Sequence, residues 1–211
     1  VLQSFVGRTA AVVGIAITSS NAEVITASAD KTVRVWTAAD GKIARTITAP
    51  AAISQLAVSR DGTRIAVAQP DSTVQIYGAA DGAVAHTLAG HQEAVSILTF
   101  SGDGTRLMSA DANRAIVRDS ATGRVLEILP IAQGISAAVF GATSAEVILA
   151  RSDTGINLHS LNFKIALGEM DKAITRIACA ADGSVYTASL DGTVRRFTPT
   201  NGAQTFSAAH G

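Results

Sequence analysis

Apolar and polar residues alternate in short runs along the whole chain, and the runs are broken every few residues by Ser, Thr, Asp or Gly. Thr32-Val33-Arg34-Val35-Trp36 is typical, with the period of two that marks a strand with one buried face. No segment sustains a 3.6-residue period over ten residues, so helices are not expected. The strand pattern itself recurs. Val12, Ile53, Val95, Ile135 and Ile174 open successive units at spacings of 41, 42, 40 and 39 residues. Three and five residues after each comes a further pair: Ile15 and Ile17, Leu56 and Val58, Leu98 and Phe100, Ala138 and Phe140, Ile177 and Cys179. A period near 40 residues points to a repeat architecture.

Each unit reads as four strands joined by hairpin turns. The first turn carries Asp61-Gly62, Asp103-Gly104 or Asp182-Gly183, where Gly supplies positive φ. Asn21-Ala22 and Ser144-Ala145 replace it in units one and four and predict looser turns there. The second strand ends at an Asp: Asp30, Asp71, Asp153 and Asp191, with Asp111 displaced by about one position. The third ends at Trp36, Tyr77, Arg118, His159 and Phe197. A four-stranded antiparallel sheet cannot hide both faces alone, and radial stacking solves that problem. The expected fold is therefore all-β, a β-propeller of four-stranded antiparallel blades. One domain is expected over 1–211, with repeats at about 10–48, 51–90, 92–131, 133–170 and 172–211. Residues 1–6 read as the outer strand of a preceding blade. Thr205 to Gly211 repeat the phase of the lead-in Thr87 to His91, so the chain is expected to be an excerpt of a longer array or to close its ring with another chain.

The units resemble those of the WD40 family. The residues that carry the resemblance are Ser28 to Trp36 in unit one, Thr87-Leu88-Ala89-Gly90-His91 before unit three, and Ala188 to Phe197 in unit five. The resemblance covers essentially the whole chain, as five WD40-like repeats in phase. It implies a hydrogen-bonded tetrad of a lead-in His, a Ser or Thr on the second strand, the turn Asp and the Trp of the third. No unit matches all four. Unit one has Ser28, Asp30 and Trp36 without the His; unit three has His91, Ser109 and Asp111, with Arg118 at the Trp position. The Ala-rich, Asp-Gly-turned repeats look like those of bacterial WD40 proteins, in which the array is often fused to other domains.

Charge and composition narrow the function. Lys plus Arg and Asp plus Glu stand at 17 each, so no summed field attracts nucleic acid. The apolar runs fall far short of the ~20 residues that span a bilayer, and no signal segment is recognisable, so a soluble chain of unassigned compartment is expected. Cys179, the one cysteine, aligns with core positions and excludes an internal disulfide. The five opening strands hold no Asp, Glu or His, which is poor material for acid–base or metal chemistry. Each turn offers one carboxylate, too few for calcium. No catalytic residue, cofactor or metal is expected, and Asp30, Trp36, Asp71, Tyr77, His91, Asp111, Asp153, Asp191 and Phe197 read as structural repeat positions.

Departures from the repeat are where binding is expected, because loops on a rigid scaffold carry function. In unit three, Asp111-Ala112-Asn113-Arg114 reads as one residue longer than the corresponding turn in unit one, and Arg118 replaces an aromatic. Asn113, Arg114 and Arg118, with Arg151 of unit four, are the candidate partner contacts, since Arg is enriched at interface hot spots. The expected function is a non-catalytic protein–protein interaction scaffold. The alternatives are an accessory propeller of a larger enzyme or redox protein, or a fragment that self-assembles. The expected partners are proteins or other domains of a parent chain, with a homo-oligomer that closes the ring as a further case, and neither nucleic acid nor membrane insertion.

Overall fold

The computed structural model describes residues 4–131, 134–141, 144–151, 156–161, 174–179, 185–189, 193–198 and 202–207. Its described elements are all strands, arranged as antiparallel sheets that follow the sequence period. The first sheet comprises β1 (Val12–Ile17), β2 (Glu23–Ser28), β3 (Thr32–Thr37) and β4 (Ile43–Thr48). The second comprises β5 (Gln55–Val58), β6 (Arg64–Ala68), β7 (Val74–Gly78) and β8 (Val84–Leu88). The third is built from β9 (Ile97–Phe100), β10 (Arg106–Ala110), β11 (Arg114–Asp119) and β12 (Val125–Pro130). Three described strands form the fourth: β13 (Ile135–Phe140), β14 (Glu146–Arg151) and β15 (Ile156–Ser160). These four sheets lie in one unit, Val1–Phe163; a second unit, Lys164–Gly211, holds one further sheet. That sheet consists of β16 (Ile174–Cys179), β17 (Val185–Ser189), β18 (Thr193–Thr198) and β19 (Gly202–Ser207).

Within the first unit the sheets stack as blades. β1 lies against β5, β5 against β9 and β9 against β13, so the opening strands gather along one edge. Period-two alternation then gives each blade a forward and a rear face. Ile25, Ala27, Val33, Val35 and Ile47 on the forward face of blade one meet Leu56, Val58, Ile65, Val67 and Tyr77 on the rear of blade two. The next interface packs Ala66, Ala68, Val74 and Ile76 against Leu98, Phe100 and Leu107. In the last, Met108, Ala110, Ala115 and Val117 pack against Ala138, Phe140, Val147 and Leu149. Burying one Val, Ile or Leu stabilises by about 1.5–3 kcal/mol, so these interfaces dominate the stability of the stack.

The first hairpins of blades two and three are the same device. Ser59 and Ser101 donate to Asp61 and Asp103 at 2.6 Å, and each carboxylate also accepts the amide of the Thr two residues on at 3.0 Å. Gly62 and Gly104 complete the turn with φ of 72° and 71°. The β1–β2 turn, expected to be looser, has the same geometry. Asn21 stands in the Gly position with φ of 56°, and its amide bonds the Thr18 carbonyl as Gly62 bonds Ser59. Asn tolerates this conformation because its short side chain bonds locally. Residues 1–6 were expected as an outer strand; of these the described residues 4–6 carry no strand pairing. Asp153 and Asp191 lie outside the described residues.

A Cβ on Gly104 would meet only Ser59 at 3.7 Å, so Gly104→Ala tests conformation without crowding. It should lower stability in urea by about 1 kcal/mol through the positive φ alone, while Asn21→Gly leaves the midpoint nearly unchanged.

Candidate functional site

In blades one to three, at the end where the second strand turns into the third, a polar latch ties the two strands together, and in blades one and three it also holds the incoming chain. In blade three the latch is a relay. Arg118 Nη1 donates to Ser109 Oγ at 3.2 Å, Ser109 Oγ bonds His91 Nε2 at 2.7 Å, and His91 Nδ1 bonds Asp111 Oδ2 at 2.9 Å. Asp111 further accepts the amides of Gln92, Asn113 and Arg114. The consistent proton assignment has His91 donating from Nδ1 and accepting from the Ser109 hydroxyl through Nε2. Every donor then has an acceptor.

Asp111 and His91 respond to burial in different ways. Burial would raise the Asp111 carboxyl, but the Asn113, Arg114 and Gln92 amides and His91 outweigh it, and the carboxyl lies below its ordinary value. Burial also disfavours the charged imidazole, and neighbouring Arg118 and Arg114 add to this, so His91 is lowered despite its hydrogen bond to Asp111. The order Ser–His–Asp is that of a hydrolytic triad. Here, however, the His91 and Asp111 side chains have no exposed surface, and the Ser109 oxygen already accepts from Arg118. A nucleophile must reach a substrate carbonyl, so this arrangement can fasten strands but cannot attack.

Arg118, expected from the sequence as a partner contact, is buried. It takes the Trp position, and its other terminal nitrogen bonds the Ala89 carbonyl. The turn beside it also differs from expectation. Trp36 reaches back ten residues to Thr26, whereas Arg118 reaches back nine to Ser109, so the unit-three turn is one residue shorter and not longer. Asp111 accordingly occupies the place of Ser28 and Gln69. The spacing from Asp to the aromatic position misled because the Asp itself had moved.

Blade one has a latch that the sequence reading missed. Trp36 Nε1 donates to Thr26 Oγ1 at 2.8 Å, which makes Thr26, and not Ser28, the hydroxyl member. Arg8 fills the place of the absent His: its guanidinium bonds Thr26, the Thr32 carbonyl at 2.8 Å, Thr32 Oγ1 at 2.7 Å and Asp30 Oδ1 at 3.3 Å. Burial would raise the Asp30 carboxyl, but bonds from Thr32 and Thr9 and the charge of Arg8 hold it at about 2. A signal was present in the sequence: Gly7-Arg8 stands seven residues before Ile15, as Gly90-His91 stands before Leu98. Both glycines have positive φ, 114° and 123°, so the two lead-ins share one backbone path. In blade two, Tyr77 donates to Gln75 at 2.5 Å, and the Thr73 hydroxyl lies within bonding distance of both Gln69 Oε1 and Asp71 Oδ1.

Of the remaining candidates, Asn113 stands exposed at the turn tip, with its carbonyl fixed by Ile131 N at 2.8 Å. Arg114 is half-buried, with Nε at 4.0 Å from Asp111. Arg151 ends β14 and Phe197 lies in β18; their side chains lie outside what the structure describes. Among the described residues no group of three or more His, Cys, Asp or Glu could hold a metal ion, and no helix is long and apolar enough to cross a membrane.

His91→Ala leaves Ser109 without its acceptor and Asp111 short of a donor, and should cost about 2–3 kcal/mol in denaturant unfolding. Arg8→Lys keeps the charge but loses the forked reach, so it should recover less than half of the loss seen in Arg8→Ala. The latches should also differ in acid. His91 is lowered in the fold, so the unfolded chain takes up a proton first and stability declines as pH falls below ~6.5. Asp30 is depressed, so its contribution holds above ~pH 4 and is lost as pH falls through 2. Urea midpoints across pH should show the first slope vanish in His91→Gln and the second flatten in Asp30→Asn.

Residues 15–103 match the family model described as the anaphase-promoting complex subunit 4 WD40 domain. No curated protein matches the chain. The matched stretch runs from β1 into the first hairpin of blade three, and the same hairpins, apolar faces and latches continue in phase beyond its end. Over residues 15–103, less than half of its length, the chain is thus similar to a WD40 domain.

Proposed function

We propose that this chain is a non-catalytic scaffold that holds protein partners together, and that the short turn Asp111-Ala112-Asn113-Arg114 is a contact point. The observation that carries the reading is the way this turn is built. It departs from the repeat, projects Asn113 into solvent and is braced from beneath by four bonds to the Asp111 carboxylate. A rigid, exposed tip loses little freedom on binding, which is what makes a preorganised contact effective. Arg114 beside it supplies a forked donor at the margin of the same turn.

The latches support the non-catalytic part of the proposal, because their polar groups are spent on each other and closed to solvent. The matching family model is named for a subunit of a complex, a setting in which contact with neighbours is the expected task. Immobilised chain should capture protein partners from lysate of the source cells. Asn113→Ala with Arg114→Ala should reduce the captured amount about tenfold, the effect of losing ~1.4 kcal/mol, without changing the thermal midpoint by more than a degree or two. Unchanged capture by the double variant would sink the assignment of this turn.

A further inference from the structure

The outer strands of blades one to three open to solvent at the rim, and blade three differs there from its neighbours. Val125 pairs with Arg118, Ile128 with Ile116 and Pro130 with Arg114, so these six residues share the rear face of blade three. The same register in blade one sets Ile43, Thr46 and Thr48 beside Trp36, Arg34 and Thr32. In blade two it sets Val84 and Thr87 beside Tyr77 and Gln75. Ile43, Val84 and Val125 are 46%, 52% and 44% exposed. Blade one packs on the rear of blade two, and blade two on the rear of blade three, so the opening at Val84 and Val125 belongs to covered blades. One step further along the strand the blades part. Where blades one and two carry Thr46 and Thr87, blade three carries Ile128, 50% exposed, and exposed Pro130 stands in the place of Thr48. Among these three blades, blade three has the continuous apolar row: Val125, Ile128 and Pro130.

Charge is divided between the two faces of the same two strands. Glu127, which pairs with Val117, and Asp119, which follows Arg118, lie on the forward side. The rear side of β11 and β12 carries Arg114 and Arg118 and no carboxylate. Asp111, in the turn above, is buried and already bonded to His91 and to three amides. Arg118 bonds a hydroxyl and a carbonyl, both neutral. The Arg114 side chain is 24% exposed, and its Nε stands 4.0 Å from Asp111. Its forked terminal nitrogens suit a second carboxylate. At the other end of the row Arg124, exposed, immediately precedes Val125. An apolar row with a cation at each end fits an extended segment that carries branched aliphatic side chains between carboxylates. β12 is also the outermost strand of its sheet, so such a segment can pair with its edge. The row covers about 17 Å, which an extended segment of about seven residues spans with its flanking acids.

We infer that the rim of blade three binds an extended acidic segment of a partner protein, laid along β12 with branched aliphatic side chains on Val125 and Ile128 and a carboxylate on Arg114. The inference deepens the scaffold reading and rests on it, since it states the chemistry of the partner that the Asn113–Arg114 turn meets. Ile131 N bonds the Asn113 carbonyl at 2.8 Å, so the turn tip and the Pro130 end of the row form one continuous surface.

The probe is a fluorescent peptide of about seven residues that alternates Val with Thr and carries Glu at both ends, titrated with the full chain and followed by anisotropy. Wild type should bind it saturably, and should bind the same peptide with Gln in place of Glu about tenfold more weakly. Ile128→Thr, which installs the residue of blades one and two, should lower affinity for the Glu peptide about tenfold, whereas Val84→Thr in blade two should leave it unchanged. Arg114→Gln should remove the preference for Glu over Gln. Absence of saturable binding, equal binding of the two peptides to wild type, or equal loss in the Ile128 and Val84 variants overturns the inference. A second measurement uses the wild-type chain and does not depend on how a variant folds. The Glu peptide, with a benzophenone in place of one Val, is irradiated with the chain and the cross-link is located by mass spectrometry. Attachment within residues 124–130 supports the inference; attachment to another blade, or none, defeats it. Partner capture from lysate is read separately: a chain that captures partners but does not bind the peptide loses this inference and keeps the scaffold reading.

Discussion

A four-stranded antiparallel sheet with branched aliphatic residues on both faces cannot be stable alone in water, and the rest of this structure follows from that constraint. One face would be covered by a helix in a mixed fold, but this chain has no helical periodicity to supply one. Its blades therefore cover each other. The small residues of each forward face, Ala27, Ala66, Ala68, Ala110 and Ala115, admit the larger residues of the next rear face, so the contact is interdigitated and close-packed. About ten buried apolar residues meet at each interface. At about 1.5–3 kcal/mol each before the entropy of ordering, they outweigh any single polar contact.

That ranking explains how the polar latches could diverge so far without loss of the blade. A net hydrogen bond contributes about 1 kcal/mol, but an orphaned buried partner costs more than the bond was worth. What persists is a bonded polar set, not the identity of its members. Blade three uses His91, Ser109, Asp111 and Arg118; blade one Arg8, Thr26, Asp30 and Trp36, with Arg8 Nε buried without a partner; blade two Gln69, Thr73, Gln75 and Tyr77. A guanidinium carries forked donors at every physiological pH, whereas an imidazole carries a proton that acid can add to. Blades one and three are thus built alike and titrate differently.

A stack held mainly by its faces lets its exposed turn tips vary, and this is the feature that suits the chain to binding. The Asp111–Arg114 turn is shorter than its neighbours and is clamped by the latch below it, so its tip is fixed relative to the apolar core.

The sequence by itself determined the all-β class, the period, the four strands of units one, two, three and five and the apolar rows, because period-two alternation and Asp-Gly turns are local properties of the chain. It marked His91 and Asp111 as structural repeat positions, and both side chains lie buried in the latch of blade three. It misplaced Arg118, because burial of a charge depends on acceptors at Ser109 and Ala89 that lie nine and twenty-nine residues away. It missed Arg8 because a tetrad defined by residue type hides an arginine doing the work of a histidine at the same lead-in position. Only the tertiary structure could decide these points: a side chain's role is set by what other strands bring to it, and sheet register, not sequence spacing, states which residues those are.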